Sequence, residues 1–230
     1  MMISVIIPTL NESSTIARTL TRTVALGFDD IIVSDGGSSD STRQMVQTCC
    51  ARVPAVRLVT APTGRARQLN EGVKACRGDV LLFLHADTEL PPTARTAIES
   101  ALEHDSYVGG RFDVRFDQPS RWGAVISWFM NRRSRLTGIA TGDQAIFVRR
   151  RVFEQMGGFP DIPLMEDIEF SRRLKRRGPT AALTDRVTTS FRRWERNGPL
   201  RTILLMWTLR FLYWLGVNPT RLNRWYRAVR

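Results

Sequence analysis

Twice near its start this chain carries a run of strand-forming residues that stops at an aspartate: IIVSD at 31–35 and VLLFLHAD at 80–87. A carboxylate just past the C-terminal end of a strand lies on the edge where open α/β sheets bind their ligands. A third acidic segment, MEDIEFSRRL, follows at 165–174. The order predicts a nucleotide site, then a metal and diphosphate site, then a general base on a later segment.

The intervening sequence has the matching rhythm. Residues 4–9 read as a buried strand closed by Pro8, with Asn11, Glu12, Ser13 and Ser14 offering caps for a helix through Leu26. Strands are expected at 30–34, 56–60 and 79–84, and helices at 38–50 and 64–76. Such alternation predicts right-handed βαβ units and a mostly parallel sheet. Residues 1–88 thus form a Rossmann-like half. Pro91 and Pro92 end it and open a helix over 93–104. Residues 111–117 and 144–148 read as strands of a second half reaching to 198. Between them, the apolar and aromatic segment 122–130 is followed by Arg132, Arg133 and Arg135.

Composition fits a globular chain, with 43% hydrophobic and 24% charged residues in 230. The net charge of +12 rests on arginine, since Lys74 and Lys175 are the two lysines. Much of the excess lies after residue 185, where Glu195 is the single acid. Such a patch attracts an anionic partner. Cys49, Cys50 and Cys76 have no metal-ligand spacing and read as free thiols of a reducing compartment. With no secretory leader ahead of the first strand, a cytoplasmic location is expected.

The tail, 199–230, is expected to be helical and amphipathic. Its apolar run, 203–217, would span about 22 Å, short of the roughly 30 Å hydrocarbon core, and it contains Arg210. Trp207, Trp214 and Trp225 beside Arg201, Arg221, Arg224 and Arg227 suit peripheral contact with anionic lipid on the inner face of the plasma membrane. The alternatives are a helix packed on the domain or a homodimer contact.

Among the motifs, Thr9, Glu12 and Asp35 fall at strand ends where short polar groups can hold a base and ribose. Gly36 and Gly37 let the chain turn beneath a ligand. No G-x-G-x-x-G or G-x-x-x-x-G-K-[ST] is present, which disfavours dehydrogenases and P-loop enzymes. Arg65 and Arg67 sit at a helix start, within reach of a phosphate. Asp87, with His85 as a second candidate ligand, suits Mg²⁺ or Mn²⁺ that also takes diphosphate oxygens. Glu166 and Asp167 open a helix. Neighbouring side chains there diverge by about 100°, so one of them is expected to face substrate and the other to cap or to pair with Arg172 or Arg173.

Together SVIIPTLNE, SDGGSSDST, GRARQLNEG, LLFLHADT, FVRRRVFEQMGGFPD and MEDIEFSRRLKRRG closely resemble glycosyltransferase family 2, whose members are inverting enzymes of the GT-A fold. The resemblance covers about residues 3–195. Within the family it points to a short L-H-A-D-T subgroup labelled radical-SAM- or selenodomain-associated, or carotenoid glycosyltransferase-like. It implies that Thr9, Glu12, Asp35, Arg65, Ala86 and Asp87 contact the nucleotide sugar, and that Asp87 is the metal-binding acid of a D-x-D motif. It also implies that Asp167 deprotonates the acceptor hydroxyl. S-F-R-R-W at 190–194 is similar to a Q-x-x-R-W element, which would place Arg193 and Trp194 near the diphosphate or acceptor, where Glu166 is also expected. His85 stands where the D-x-D motif has its first acid, which removes one carboxylate from the metal site, and Ser190 stands for the Gln, so processive polymerisation is not expected.

The implied donor is a UDP- or GDP-sugar, and the acceptor a hydroxyl, with a lipid or isoprenoid favoured by the tail. Rival readings are an inactive, membrane-associated scaffold and a sugar nucleotidylyltransferase, although the latter lacks a Gly-rich, Lys-bearing N-terminal loop. Nucleic acid is not an expected partner, because no recognition motif accompanies the charge.

Overall fold

The run Ile-Ser-Val-Ile-Ile-Pro-Thr becomes β1 (Ile3–Thr9), and it alternates its side chains between two cores. Val5 and Ile7 face one cluster with Val33, Leu82 and Phe147, while Ile6 faces another with Leu81, Phe83 and Val148. Strands covered on both faces must be apolar throughout, which is why these runs are legible. In the computed structural model, which describes residues 1–103 and 106–229 without the side chains of Arg193 and 227–229, the two cores lie on opposite faces of one sheet.

β1 is followed by α1 (Ile16–Ala25), β2 (Asp30–Asp35), α2 (Thr42–Arg52), β3 (Val56–Thr60), α3 (Arg65–Ala75) and β4 (Val80–Phe83). These four strands are mutually parallel. Next come β5 (Thr88–Glu89), α4 (Ala94–Ala101), β6 (Gly109–Phe116), α5 (Arg121–Thr137), β7 (Phe147–Arg149) and α6 (Arg150–Gln155). The chain continues through α7 (Glu166–Leu174), β8 (Thr180–Thr189), α8 (Arg192–Asn197), α9 (Pro199–Trp214) and α10 (Pro219–Val229). The sheet order is β3-β2-β1-β4-β7-β6-β8-β5. β7 runs against both of its neighbours and β5 against β8, while β6 and β8 are parallel. The sheet is therefore mostly parallel, as expected. Side chains of α1, α2 and α4 complete one core and those of α3, α6 and α7 the other, giving three layers.

The reversal of β7 positions the site. An antiparallel strand begins where its neighbours end, so the segment entering β7 reaches the edge at which β1, β2 and β4 finish. Phe83 donates its N–H to the Ile146 carbonyl there, at 2.9 Å.

Several elements differ from the sequence reading. The helix expected over 93–104 is α4, and its expected end at His104 lies outside the described residues. β8, ten residues long, has no counterpart in that reading, because it is buried on only part of its length. The apolar segment 122–130 is the first part of α5, a 17-residue helix. The single tail helix becomes two, broken where Gly216 takes φ 86° and Asn218 accepts the Thr220 N–H. α9 packs Leu209 against Met165 and Leu222, so one face of the tail lies on the domain. Its opposite stripe, Leu200, Leu204, Trp207, Phe211 and Trp214, is exposed, Trp214 at 76%. Among the described residues no helix is long and apolar enough to cross a membrane.

Candidate active site

The loop after β2 is built around Asp35. Its carboxylate accepts from the Gly37 and Ser38 N–H groups (3.0 Å each), Ser38 Oγ (2.5 Å), Thr9 Oγ1 (3.3 Å) and Arg43 Nη1 (3.1 Å). Burial pushes its pKa up, but the hydrogen bonds from Ser38, Gly37 and Arg43 outweigh this and hold it below the usual carboxylate range. The side chain is 0% exposed. Asp35 therefore shapes the loop, and Gln68 braces it from α3 by donating to the Thr9 carbonyl at 2.6 Å. Gly36 lies so close beneath Gln68 that a Cβ there would be 2.8 Å from the amide.

Past β4, His85, Ala86 and Asp87 form the next turn, fastened to α1 by Thr19 Oγ1 donating to the Ala86 carbonyl at 2.7 Å. Asp87 and Glu12 stand side by side and share one cation. Arg192 Nη2 lies 3.8 Å from Asp87 and 3.7 Å from Glu12, and its other nitrogens donate to Ser14 and Ser190. Burial raises both acids above their ordinary pKa values. Asp87 adds to the effect on Glu12 and Asp143 to that on Asp87, with Arg192 and Arg65 opposing.

The third group comes from α7. Its first turn is set by Met165, which holds a left-handed φ of 70° while burying its side chain against Leu209 and Leu222. Behind the helix, Phe170 stacks on Phe159 at 4.1 Å, and Phe159 meets Phe83 edge-on at 4.8 Å. Asp167 Oδ2 accepts the Gly142 N–H at 2.8 Å, from the turn that enters β7. Glu166 lies 3.8 Å from Arg65 Nε and is almost wholly buried. Burial, then the charge of Asp167, raises its pKa. The expectation that one of the two acids turns away to Arg172 or Arg173 is not met. Arg172 pairs with Glu169, Arg173 donates to the Met156 and Gly158 carbonyls, and both Glu166 and Asp167 line one cleft.

That cleft has Arg65, His85, Gly142, Glu166 and Asp167 at its polar wall and Phe83 and Phe159 among its apolar residues. Desolvation by its neighbours lowers the pKa of Arg65, but Glu166, Asp167 and Asp87 together outweigh it and raise the pKa of this half-exposed side chain. Arg67, its alternative, is spent on Asp161 at 2.8 Å. His85 is kept neutral by burial and by Arg65, and its Nε2 lies against Gly142. Trp194 packs with Phe116 and Phe191, ring centroids 5.9 and 6.5 Å away. The side chain of Arg193 lies outside the described residues. The sequence reading missed Arg192, the arginine beside it, and it missed Gly142. Of the three described non-glycine residues with positive φ, Ala145 and Met165 stand next to the cleft residues Ile146 and Glu166, and Asn11 bonds to Ser38 and Ser39 of the loop after β2.

A profile of glycosyl transferase family 2 matches residues 4–157. The chain belongs to this family. Among relatives of the family, an undecaprenyl-phosphate 4-deoxy-4-formamido-L-arabinose transferase of Pseudomonas fluorescens is 30% identical over 158 residues, covering 64% of this chain and 46% of that protein. Two solved family-like folds superpose well. The mannosyltransferase PcManGT of Pyrobaculum calidifontis, in complex with GDP-Man and Mn²⁺, gives a TM-score of 0.62 at 23% identity, covering 82% of this chain and 56% of that one. TarS 1-349 of S. aureus, in complex with UDP-GlcNAc, gives 0.63 at 18%, covering 83% and 58%. At these identities they establish the GT-A fold. The chain spans about half the length of the curated relatives it matches.

Family members of this fold commonly carry a divalent ion, and the donor set here can be tested against one. Among the described residues no three His, Cys, Asp or Glu side chains converge enough to hold a metal by themselves. Asp87 is a part-exposed hard carboxylate with its charge under-compensated, which fits an ion that draws its remaining ligands from phosphate oxygens and water. The neutral ring of His85, set against Gly142, is the poorer ligand.

Proposed function

We propose that this chain is an inverting glycosyltransferase that moves a sugar from a UDP- or GDP-sugar to an acceptor oxygen. The observation that carries the reading is the cleft in which Arg65, 3.8 Å from Glu166, meets Asp167 of α7 and His85 of the turn that carries Asp87. Residues of the donor-side turn and the acids of α7 thereby line a single cleft. The lipid-phosphate relative and the nucleotide-sugar complexes of the structural neighbours support the same class of reaction.

In this mechanism Thr9, Glu12 and the loop organised by Asp35 receive the nucleoside, with Ala86 supplying close backbone approach. Asp167 has one oxygen pinned by Gly142 and takes the acceptor proton with its carboxylate. The freed oxygen lone pair attacks the anomeric carbon as the bond to the diphosphate breaks, and that bonding pair leaves with the diphosphate. A single displacement inverts the anomeric centre. Arg65 stands where negative charge grows on the leaving group, and Glu166 holds Arg65 in place. Mg²⁺ or Mn²⁺ held by Asp87 would supply further neutralisation of that charge.

The acceptor we favour is a lipid or isoprenoid, met at the cytoplasmic face of the plasma membrane through the exposed Trp207 and Trp214 stripe of α9. The test of the whole reading is Asp167→Asn. Calorimetry should show its affinity for UDP-glucose, UDP-GlcNAc or GDP-mannose unchanged, while transfer falls by about 10²-fold or more. Full transfer by the variant would remove Asp167 as the base.

A further inference from the structure

α5 is fastened to the sheet along one face and leaves an aromatic face in water. Asn131 exchanges two hydrogen bonds with Val114 of β6, its Oδ1 accepting the N–H at 2.8 Å and its Nδ2 donating to the carbonyl at 3.0 Å. Arg135 donates to the Ala182 and Leu183 carbonyls at 3.0 and 3.1 Å and to Asp113 at 2.8 Å. Ile126 and Ser134 are buried on the same side, so the helix cannot roll to hide the other. That other side carries Trp122, Val125, Phe129, Arg132 and Leu136, spaced alternately by three and four residues, with Trp128 beside them. Its apolar members are exposed, from Trp122 at 44% to Leu136 at 75%. Arg132 lies over the Trp128 ring, 5.7 Å from the centroid. An apolar stripe left open along a whole helix marks a contact surface.

Charge decides what the contact is with. The charged residues of α5 are Arg121, Arg132, Arg133 and Arg135, and α9 and α10 likewise contain arginines and no acid. A second copy of the chain seated on α5 through its own α5, α9 or α10 would set arginine against arginine with no carboxylate to pair them, a juxtaposition that disfavours association. An anionic bilayer supplies the missing sign and takes tryptophan and phenylalanine at headgroup depth. We infer that α5 is a membrane-docking helix, lying flat in the interface of an anionic bilayer with Trp122, Trp128, Phe129 and Leu136 turned to the lipid and Arg132 among the phosphates. Its 17 residues give a contact about 25 Å long. This goes beyond the lipid contact proposed for α9, because α5 is an insertion between two strands of the domain itself, and its bonds to β6 and β8 fix how the domain stands on the surface. α5 also runs through Gly138 into the turn whose Gly142 holds Asp167, so the docked helix leads to the support of that acid. The inference holds whether or not the chain transfers a sugar.

The experiment co-sediments the full chain with vesicles of equal parts phosphatidylglycerol and phosphatidylcholine, and with vesicles of phosphatidylcholine alone. Three variants run beside it: Trp128→Ser with Phe129→Ser, Arg132→Gln, and Trp207→Ser with Trp214→Ser. The wild type should bind the anionic vesicles, and the α5 double variant should bind them at least about tenfold more weakly, the scale of the apolar area withdrawn from lipid. Arg132→Gln should lose about fivefold, and only on the anionic vesicles. Thermal midpoints should stay at the wild-type value, since all three α5 side chains are exposed. Weaker binding by the α9 variant too means that both helices dock, while loss in the α5 variants alone keeps the docking helix and removes the α9 contact. Wild-type binding by the α5 double variant overturns the inference, whatever the α9 variant does. A dimer that this variant turns into a monomer also overturns it and assigns the face to a second copy, and equal binding to phosphatidylcholine alone overturns the choice of an anionic surface. Vesicle binding without binding of any nucleotide sugar leaves the docking helix standing and removes the transferase reading.

Discussion

Gly142 has no room for a side chain, and the reason is chemical as well as steric. A Cβ would sit 2.3 Å from His85 Nε2, while the N–H of the same residue holds Asp167. Gly142→Ala should displace the turn or the ring, and misplacing a reacting group by about 1 Å costs on the order of 10²-fold. The expected result is a kcat lowered at least tenfold with nucleotide affinity and circular dichroism unchanged; an active Gly142→Ala would show that this contact does not position Asp167. At this scale the sequence was only partly legible. The acids Glu12, Asp87, Glu166 and Asp167 could be picked out because they follow apolar runs or open a helix. Gly142 could not, since its constraint comes from His85, far away in the chain. Arg192 was hidden by its neighbour: adjacent side chains in a first helical turn point about 100° apart, and spacing alone does not say which one meets Asp87.

Among the elements, those buried on both faces were the legible ones. β1, β2 and β4 are buried along nearly all their length around apolar centres, whereas β8 is partly exposed and interrupted by Asp185 and Arg186. The break between α9 and α10 had a signal, Gly216 followed by Asn218-Pro219, that the apolar run around it obscured. α9 is apolar all round, yet it buries only the side that carries Leu209. The outward stripe, with its two tryptophans, is exposed, and it is the part that the proposed lipid contact would use. Changing Trp207 and Trp214 to Ser should leave the packing of Leu209 and Leu222 intact and lower co-sedimentation with anionic liposomes by about tenfold, given the apolar area removed. Unchanged sedimentation, or conversion of a dimer to a monomer in the double variant, would assign the stripe to a second copy of the chain instead.

For the whole molecule, the cleft sets the pH dependence of stability. Burial raises the folded pKa values of Glu12, Asp87 and Glu166, so the folded chain holds these protons more tightly than the unfolded chain does. Their contribution is most favourable below the unfolded values, about 4, and is lost as pH rises through the raised folded values. Asp30 and Asp35 act in the opposite sense. Hydrogen bonds outweigh their burial and lower their pKa values, so their stabilisation is complete above about 4 and is lost only in stronger acid. His85, held neutral by burial, opposes these acids between about pH 5.5 and 8, because the unfolded ring takes up a proton below about 6.5 that the folded ring does not. The contribution of Glu166 shows as a difference: Glu166→Gln should raise the thermal midpoint without ligand more at pH 8 than at about pH 5.5, and an equal change at both would contradict this account. The Arg192 bridge carries a different lesson. It reaches Glu12 and Asp87 from the far side of β8, so the nucleotide half of this molecule borrows a wall from residues more than a hundred positions downstream. Folding unit and working unit do not coincide here: the acids of the Rossmann-like half are steadied by a charge which that half does not itself carry.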